Sequence, residues 1–237
     1  MAKVYLSPAY HWFNPCSIAG CDETTHNNEY MDEVEVFLKA CGIETKRGPR
    51  RVPKSNEDGT ELMKQAVAES NAWGADIHYA SHSNASTNTV GGGKAKGCRP
   101  IIYDGSERGE KLAACMIQRR KEVYPGAITL NRRTDLYELR VPYAVSFYEE
   151  HVFHDNPEDA KWFHAHMRDV ARSAAQGMCD YLGVVFVDPY AVQDTDYVPY
   201  ADYAALKEQY NTIQASADAF RTRVMNALEI FDNGKGG

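Results

Sequence analysis

The sequence has no apolar run near the ~18 residues that a membrane-crossing helix needs, no Cys-x-x-Cys pair and no excess of basic charge. The first absence removes membrane insertion from the expected behaviour. The second bears on its 6 cysteines (Cys16, Cys21, Cys41, Cys98, Cys115 and Cys179), which are scattered along 237 residues. They read as reduced thiols, with a Cys16/Cys21 disulfide or metal pair as the alternative. The third, 26 Lys and Arg against 33 Asp and Glu for a net charge of -7, leaves no broad cationic field for phosphate backbones, so nucleic acid is not an expected partner. Missing too are the G-x-S-x-G elbow of serine hydrolases, the G-x-x-x-x-G-K-[ST] phosphate loop and the G-x-G-x-x-G dinucleotide fingerprint. Gly91-Gly92-Gly93-Lys94 has the composition of a phosphate cradle without its spacing and reads as a flexible rim. Met1 to Pro8 is a short strand pattern rather than the charged-then-apolar layout of a signal peptide, so synthesis in the cytoplasm is expected.

What is there is an ordinary globular composition, 43% hydrophobic and 25% charged, long enough for one domain with an accessory element. Strand and helix signals alternate over the first three quarters, which predicts an α/β domain with a mostly parallel twisted sheet covered by helices on both faces. The strands read as Lys3–Leu6, Ile43–Lys46, Asp76–Ser81, Arg99–Tyr103 and Ala144–Tyr148. Helices read as Glu29–Cys41, closed by Gly42, then Glu57–Trp73, closed by Gly74, Glu107–Val123, and a single long helix Pro157–Leu182 before Gly183. This gives a domain over residues 1–185.

The tail differs in character. Residues 186–202 are expected as a linker, rich in Asp, Tyr and Pro from Asp188. In residues 203–237 the positions Tyr203, Leu206, Tyr210, Ile213, Ala217, Phe220, Val224, Ala227 and Phe231 recur at alternating spacings of three and four, a heptad seam. Such a helix self-associates into a homodimer, docks a partner, or packs back on its own domain.

The residues able to do chemistry collect at strand ends and a helix start, where an α/β sheet opens its binding crevice. His11 follows the first strand, Glu29 opens the first expected helix, His82 closes a buried strand and Glu150 closes a later one. Two imidazoles and one carboxylate make a hydrolytic zinc site with its fourth position left for water, and an unligated carboxylate can take that water's proton.

The run Ala75-Asp76-Ile77-His78-Tyr79-Ala80-Ser81-His82-Ser83-Asn84-Ala85 resembles the strand of zinc-dependent N-acetylmuramoyl-L-alanine amidases of the amidase type 3 family, in which S-x-H-x-N-A delivers a zinc histidine. Pro142-Tyr143-Ala144-Val145 followed by Glu150-His151-Val152-Phe153-His154-Asp155-Asn156-Pro157-Glu158-Asp159-Ala160 is similar to the family's segment that carries the catalytic glutamate. Its register selects Glu150 over Glu149, and strand alternation puts those two on opposite faces. Ser7-Pro8, Asn28-Glu29, Gly42 to Arg47 and Ala68 to Asn71 agree with further family elements in order, so the resemblance spans about residues 3–185. Ser7-Pro8-Ala9-Tyr10-His11 carries one residue more than the family's D-P-G-H, which leaves His26 as the alternative first ligand to His11. His78 lies on the same strand face as His82 but roughly 13 Å away, too far to share a metal.

The resemblance implies zinc held by His11, Glu29 and His82, with Glu150 as the catalytic acid and base. It implies peptidoglycan as substrate, cut at the amide between N-acetylmuramic acid and the L-alanine of the stem peptide. Asn84, Arg133, Tyr137 and Arg140 are the candidate substrate contacts. A wall enzyme read as lacking a leader resembles a phage or prophage endolysin, made in the bacterial cytoplasm and acting on the wall after release. A zinc peptidase acting within the stem peptide, and a non-catalytic wall-binding or scaffold module using the tail helix, are the competing classes.

Overall fold

Three stretches of the chain are buried on both sides along almost their whole length, and they form the centre of a six-stranded sheet. They are β1 (Lys3–Pro8), β3 (Ile77–Asn84) and β6 (Val145–Phe153). With β2 (Glu44–Arg47), β4 (Arg99–Tyr103) and β5 (Asn131–Arg133) the order is β2-β1-β3-β6-β4-β5. The first four in that order run parallel, while β4 is antiparallel to β6 and β5 pairs parallel with β4. The computed structural model describes residues 1–191 and, in the tail, 207–214, 216, 217 and 220.

The helices are α1 (Glu23–Ala40), α2 (Asn56–Trp73), α3 (Glu107–Lys121), α4 (Tyr137–Arg140), α5 (Pro157–Ala165) and α6 (Met167–Leu182). Side-chain alternation assigns them to two layers. On one face Tyr79 meets Tyr30 of α1, their hydroxyls 2.8 Å apart, and α1, α3 and α6 pack together there. On the other, Tyr5 packs with Leu62 and Ala66 of α2, and Ala80 and Tyr148 pack with Leu139 of α4. The expected α/β architecture, mostly parallel with helices on both faces, is the one observed.

Several elements depart from the sequence reading. Helix α1 begins at Glu23 rather than Glu29, because Asp22 caps it by accepting a hydrogen bond from the Thr25 N–H at 2.9 Å. Strand β6 continues past Tyr148 to Phe153. The short β5 and α4 were not expected. The long helix over 157–182 is two helices, since His166 leaves helical geometry (φ -119, ψ 17) with its ring stacked on Trp162.

Among the described residues no helix is long and apolar enough to cross a membrane. The first residues expected as linker pack on the domain: Phe186 and Tyr190 both lie against Phe37, and the Arg168 guanidinium sits over the Tyr190 ring. The rest of that segment, 192–202, lies outside the described residues, as does most of the heptad seam, including Tyr203, Leu206, Val224, Ala227 and Phe231.

Candidate active site

The parallel strands end together at one edge of the sheet, and β3 delivers two polar side chains there on one face, His82 and Asn84. Register places Glu150 of β6 directly beside His82. The Asn84 side-chain amide donates to the Glu150 carboxylate, so the three residues form a row across two strands.

Glu23, in the first turn of α1, reaches over the same edge. Its Oε2 lies 2.6 Å from His11 Nδ1 and accepts from the Asn14 amide, and its Oε1 lies 3.3 Å from His82 Nδ1 and accepts from the Ser83 backbone N–H at 3.1 Å. A carboxylate is favoured at a helix N-terminus by the exposed N–H groups and the helix dipole. The ligand atoms of His11, Glu23 and His82 all lie within 4.8 Å of one another.

His11 sits in the loop after β1, and two contacts fix it. Thr24 Oγ1 donates to the His11 carbonyl at 2.9 Å. Tyr10, buried beside it, is pressed by α2 at Gly59, where a Cβ would fall 2.2 Å from the Tyr10 carbonyl oxygen. Glycine inside a helix costs about 1 kcal/mol against alanine, and here it permits that approach. The His11 side chain remains 50% exposed while Glu23 is fully buried. His11, His82, Tyr10, Met63, Thr60 and Glu138 line a cavity of about 190 Å³.

Glu138 of α4 completes the arrangement from below. Its Oε2 lies 3.2 Å from His82 Nε2, and its Oε1 accepts from Ser7 Oγ at 2.6 Å and lies 3.3 Å from His78 Nε2. With Nε2 engaged by Glu138, the Nδ1 edge of His82 faces Glu23 and His11. A carboxylate behind a histidine in this way fixes ring orientation and raises basicity.

The electrostatics follow from burial and pairing. Burial opposes charge on Glu23, but the imidazoles of His11 and His82 overcome it and hold its carboxyl well below the usual range. Burial likewise works against a charged His82, yet Glu138 and Glu23 on its two nitrogens push it up to about 9. Glu138 is drawn down to about 2, the bonds from His78 and His82 outweighing desolvation. Glu150 is raised, chiefly by burial, with the charges of His82 and Arg133 working the other way.

The sequence-derived candidates are therefore distributed unevenly. His11, His82, Glu150 and Asn84 are gathered at one edge. Glu29 is not in the cluster: it lies six residues beyond Glu23, roughly 240° around the helix, and Glu23 takes the place expected for it. His26, the alternative to His11, projects from α1 to the other side of β3, with its Nε2 2.9 Å from Ser83 Oγ. Arg133, at the end of β5, pairs with Asp135 and acts on Glu150 through its charge. Tyr137 opens α4. Arg140 lines a separate cleft at the start of β6 with Tyr103, Arg108 and Ser146, at the opposite end of that strand from Glu150. Glu149 points away, into a buried pair with Arg120 at 3.0 Å and a hydrogen bond from Tyr79 at 2.6 Å.

Sequence reasoning missed two residues. Glu23 carried a usable signal, an Asp followed by an acidic residue at a helix start. Glu138 carried none, because a four-residue helix has no periodicity to read.

No protein-family model matches the chain, and no curated relative matches it. Solved structures do. The catalytic domain of CwlV, an N-acetylmuramoyl-L-alanine amidase from Bacillus (Paenibacillus) polymyxa var. colistinus, superposes with a TM-score of 0.65 at 18% identity, over 78% of this chain and 100% of that one. The CwlD amidase from Clostridioides difficile, solved with the GerS lipoprotein, gives 0.65 at 16% identity over 77% and 99%. The catalytic domain of the CD27L endolysin targeting Clostridia difficile gives 0.60 at 17% over 76% and 98%. The chain has the fold of these amidase domains.

Proposed function

We propose that this protein is a peptidoglycan hydrolase that cleaves the amide between N-acetylmuramic acid and the L-alanine of the stem peptide. The observation that carries the reading is the convergence of His11, Glu23 and His82 with Glu150 beside them in register. The likeness to three amidase domains supports the choice of substrate.

The donor set suits a zinc ion. Two imidazoles and one carboxylate are the ligands of hydrolytic zinc sites. Two buried carboxylates around His82 raise its proton affinity, so a divalent cation replacing that proton finds its charge already balanced. The half-exposed His11 leaves the position open toward solvent and substrate. Zinc bound there supplies an acidified water and polarises the substrate carbonyl.

The protein's own side chains supply the rest. Glu150, half-buried and raised, accepts the proton from the attacking water and returns it to the leaving alanine nitrogen. Asn84 fixes the carboxylate by donating to it. Glu138 holds His82 in the ring orientation that directs Nδ1 to the ligand cluster. The cavity between Tyr10, Thr60 and Met63 receives the part of the substrate next to the scissile bond. An endolysin role is the biological form of this reading that we favour, supported by the likeness to the CD27L catalytic domain.

The test is digestion of purified cell walls with and without a chelator, followed by mass spectrometry of the released ends. New L-alanine amino termini on intact glycan, lost with chelator, are expected. Cuts between stem-peptide residues would instead identify a peptidase, and no release at all a binding module.

A further inference from the structure

On the opposite face of β3 from His82, a second set of metal-ligating atoms is gathered, and the mechanism above uses none of it. Cys16 and Cys21 come from the loop after β1, His26 from the second turn of α1, and His164 from the last turn of α5. All the described cysteines are free. The two sulfurs lie 2.9 Å apart, and His26 Nδ1 lies 3.1 Å from Cys16 Sγ and 3.3 Å from Cys21 Sγ. His164 Nε2 lies 3.3 Å from Cys21 Sγ. The ligand atoms of Cys16, Cys21 and His26 all lie within 4.8 Å of one another, and His164 approaches this cluster from the side of Cys21. Cys16 and His26 are buried to within a few per cent.

His26 Nε2 and His154 Nδ1 each lie 2.9 Å from Ser83 Oγ, and these contacts accommodate the tautomer in which His26 Nε2–H donates to Ser83 and the Ser83 O–H donates to His154. That tautomer leaves the Nδ1 lone pair facing the two sulfurs, the orientation a metal-binding imidazole takes when its other nitrogen is held by an outer partner.

We infer that Cys16, Cys21, His26 and His164 form a structural zinc site, distinct from the His11–Glu23–His82 cluster. Two thiolates and two imidazoles are the donor set of closed, four-coordinate structural zinc, and soft thiolates select zinc over magnesium or calcium. Binding releases the two thiol protons, and the two thiolate charges neutralise the ion exactly where burial requires neutrality. Zinc bonds of about 2.3 Å to sulfur and 2.0 Å to nitrogen place tetrahedral donors roughly 3.3–3.8 Å apart, so side-chain rotations that spread the two sulfurs and bring His164 inward complete the site. The consequence for the fold is specific. Cys16 and Cys21 flank a turn whose ends pair as a Pro15–Asp22 bridge, next to Glu23 in sequence. Tying that turn to α5 fixes the entry to α1, and with it Glu23.

Cobalt substitution of the full-length protein tests this, because thiolate ligation gives an intense near-ultraviolet charge-transfer band that a site of two histidines and a glutamate lacks. The expected result is two cobalt ions per chain and a thiolate band that persists in His82→Ala and disappears in Cys16→Ser/Cys21→Ser. The His164→Ala variant keeps the band with altered visible d–d transitions, and unaltered transitions would remove His164 from the set. Should the double variant not fold, the wild-type spectrum decides alone. Absence of the thiolate band in protein with all 6 thiols reduced, or a Cys16–Cys21 disulfide in protein isolated without reductant, overturns the inference.

Discussion

Glu138 Oε2 lies 3.2 Å from His82 Nε2, in the interior, between residues 56 positions apart in sequence. The contact turns the other ring nitrogen of His82 toward Glu23 and His11. A carboxylate that touches no ligand position thereby governs the one strand histidine of the cluster.

Removing that carboxylate is expected to weaken zinc without removing a ligand. Loss of such an outer partner costs about 10–100-fold in metal affinity. Glu138→Gln should show this in competition with a chromogenic chelator. Affinity equal to wild type would assign Glu138 to packing alone.

Glu23 and Glu29 make a matched pair on one helix. Glu23→Gln is expected to abolish zinc binding at the His11–His82 cluster, while Glu29→Gln retains it. Zinc content by mass spectrometry, in a Cys16→Ser/Cys21→Ser background so that only one cluster is counted, separates them. Retention of zinc by the Glu23 variant and loss by the Glu29 variant would reverse the assignment.

How much of this was legible in the sequence depends on what each residue does in its element. His82, Asn84 and Glu150 sit on buried strands whose alternation and neighbours can be read directly, so their shared face follows from counting. Glu23 was hidden because the buried residues of α1's first turn are polar, Glu23, Thr24, His26 and Asn27. Apolar periodicity therefore becomes visible only from Tyr30, and a helix read from that periodicity starts at Glu29, six residues after Glu23. Glu138 lies on a single turn of helix whose position depends on long-range packing of Leu139 against Ala80 and Tyr148. The break between α5 and α6 was equally silent, since His166 is neither glycine nor proline.

Glu149 and Glu150 are neighbours with opposite duties. Glu149→Ala strands the buried Arg120 guanidinium, at a cost of about 3–5 kcal/mol, read as a lowered urea midpoint. Glu150→Gln should leave the midpoint and zinc content near wild type while turnover falls about 10²–10⁴-fold, the usual contribution of a general base. Near-normal wall lysis by the Glu150 variant would eliminate it as the proton acceptor.

The charge of Arg133 bears on the acid side of the pH profile. Burial raises Glu150 and Arg133 holds it down. A base must be ionised to work, so activity is lost as pH falls through its pKa. Arg133→Gln removes the lowering charge, and the acid limb of kcat/KM should move to higher pH. A limb that stays in place or moves lower would show that Arg133 does not act on Glu150.

The most direct test of the account is zinc-edge anomalous diffraction from crystals of the full chain grown with zinc. The account predicts an anomalous peak bounded by Nδ1 of His11, Nδ1 of His82 and the Glu23 carboxylate, with Glu150 near it and Glu29 remote. Crystals that bind zinc yet show no peak among those three side chains would contradict it.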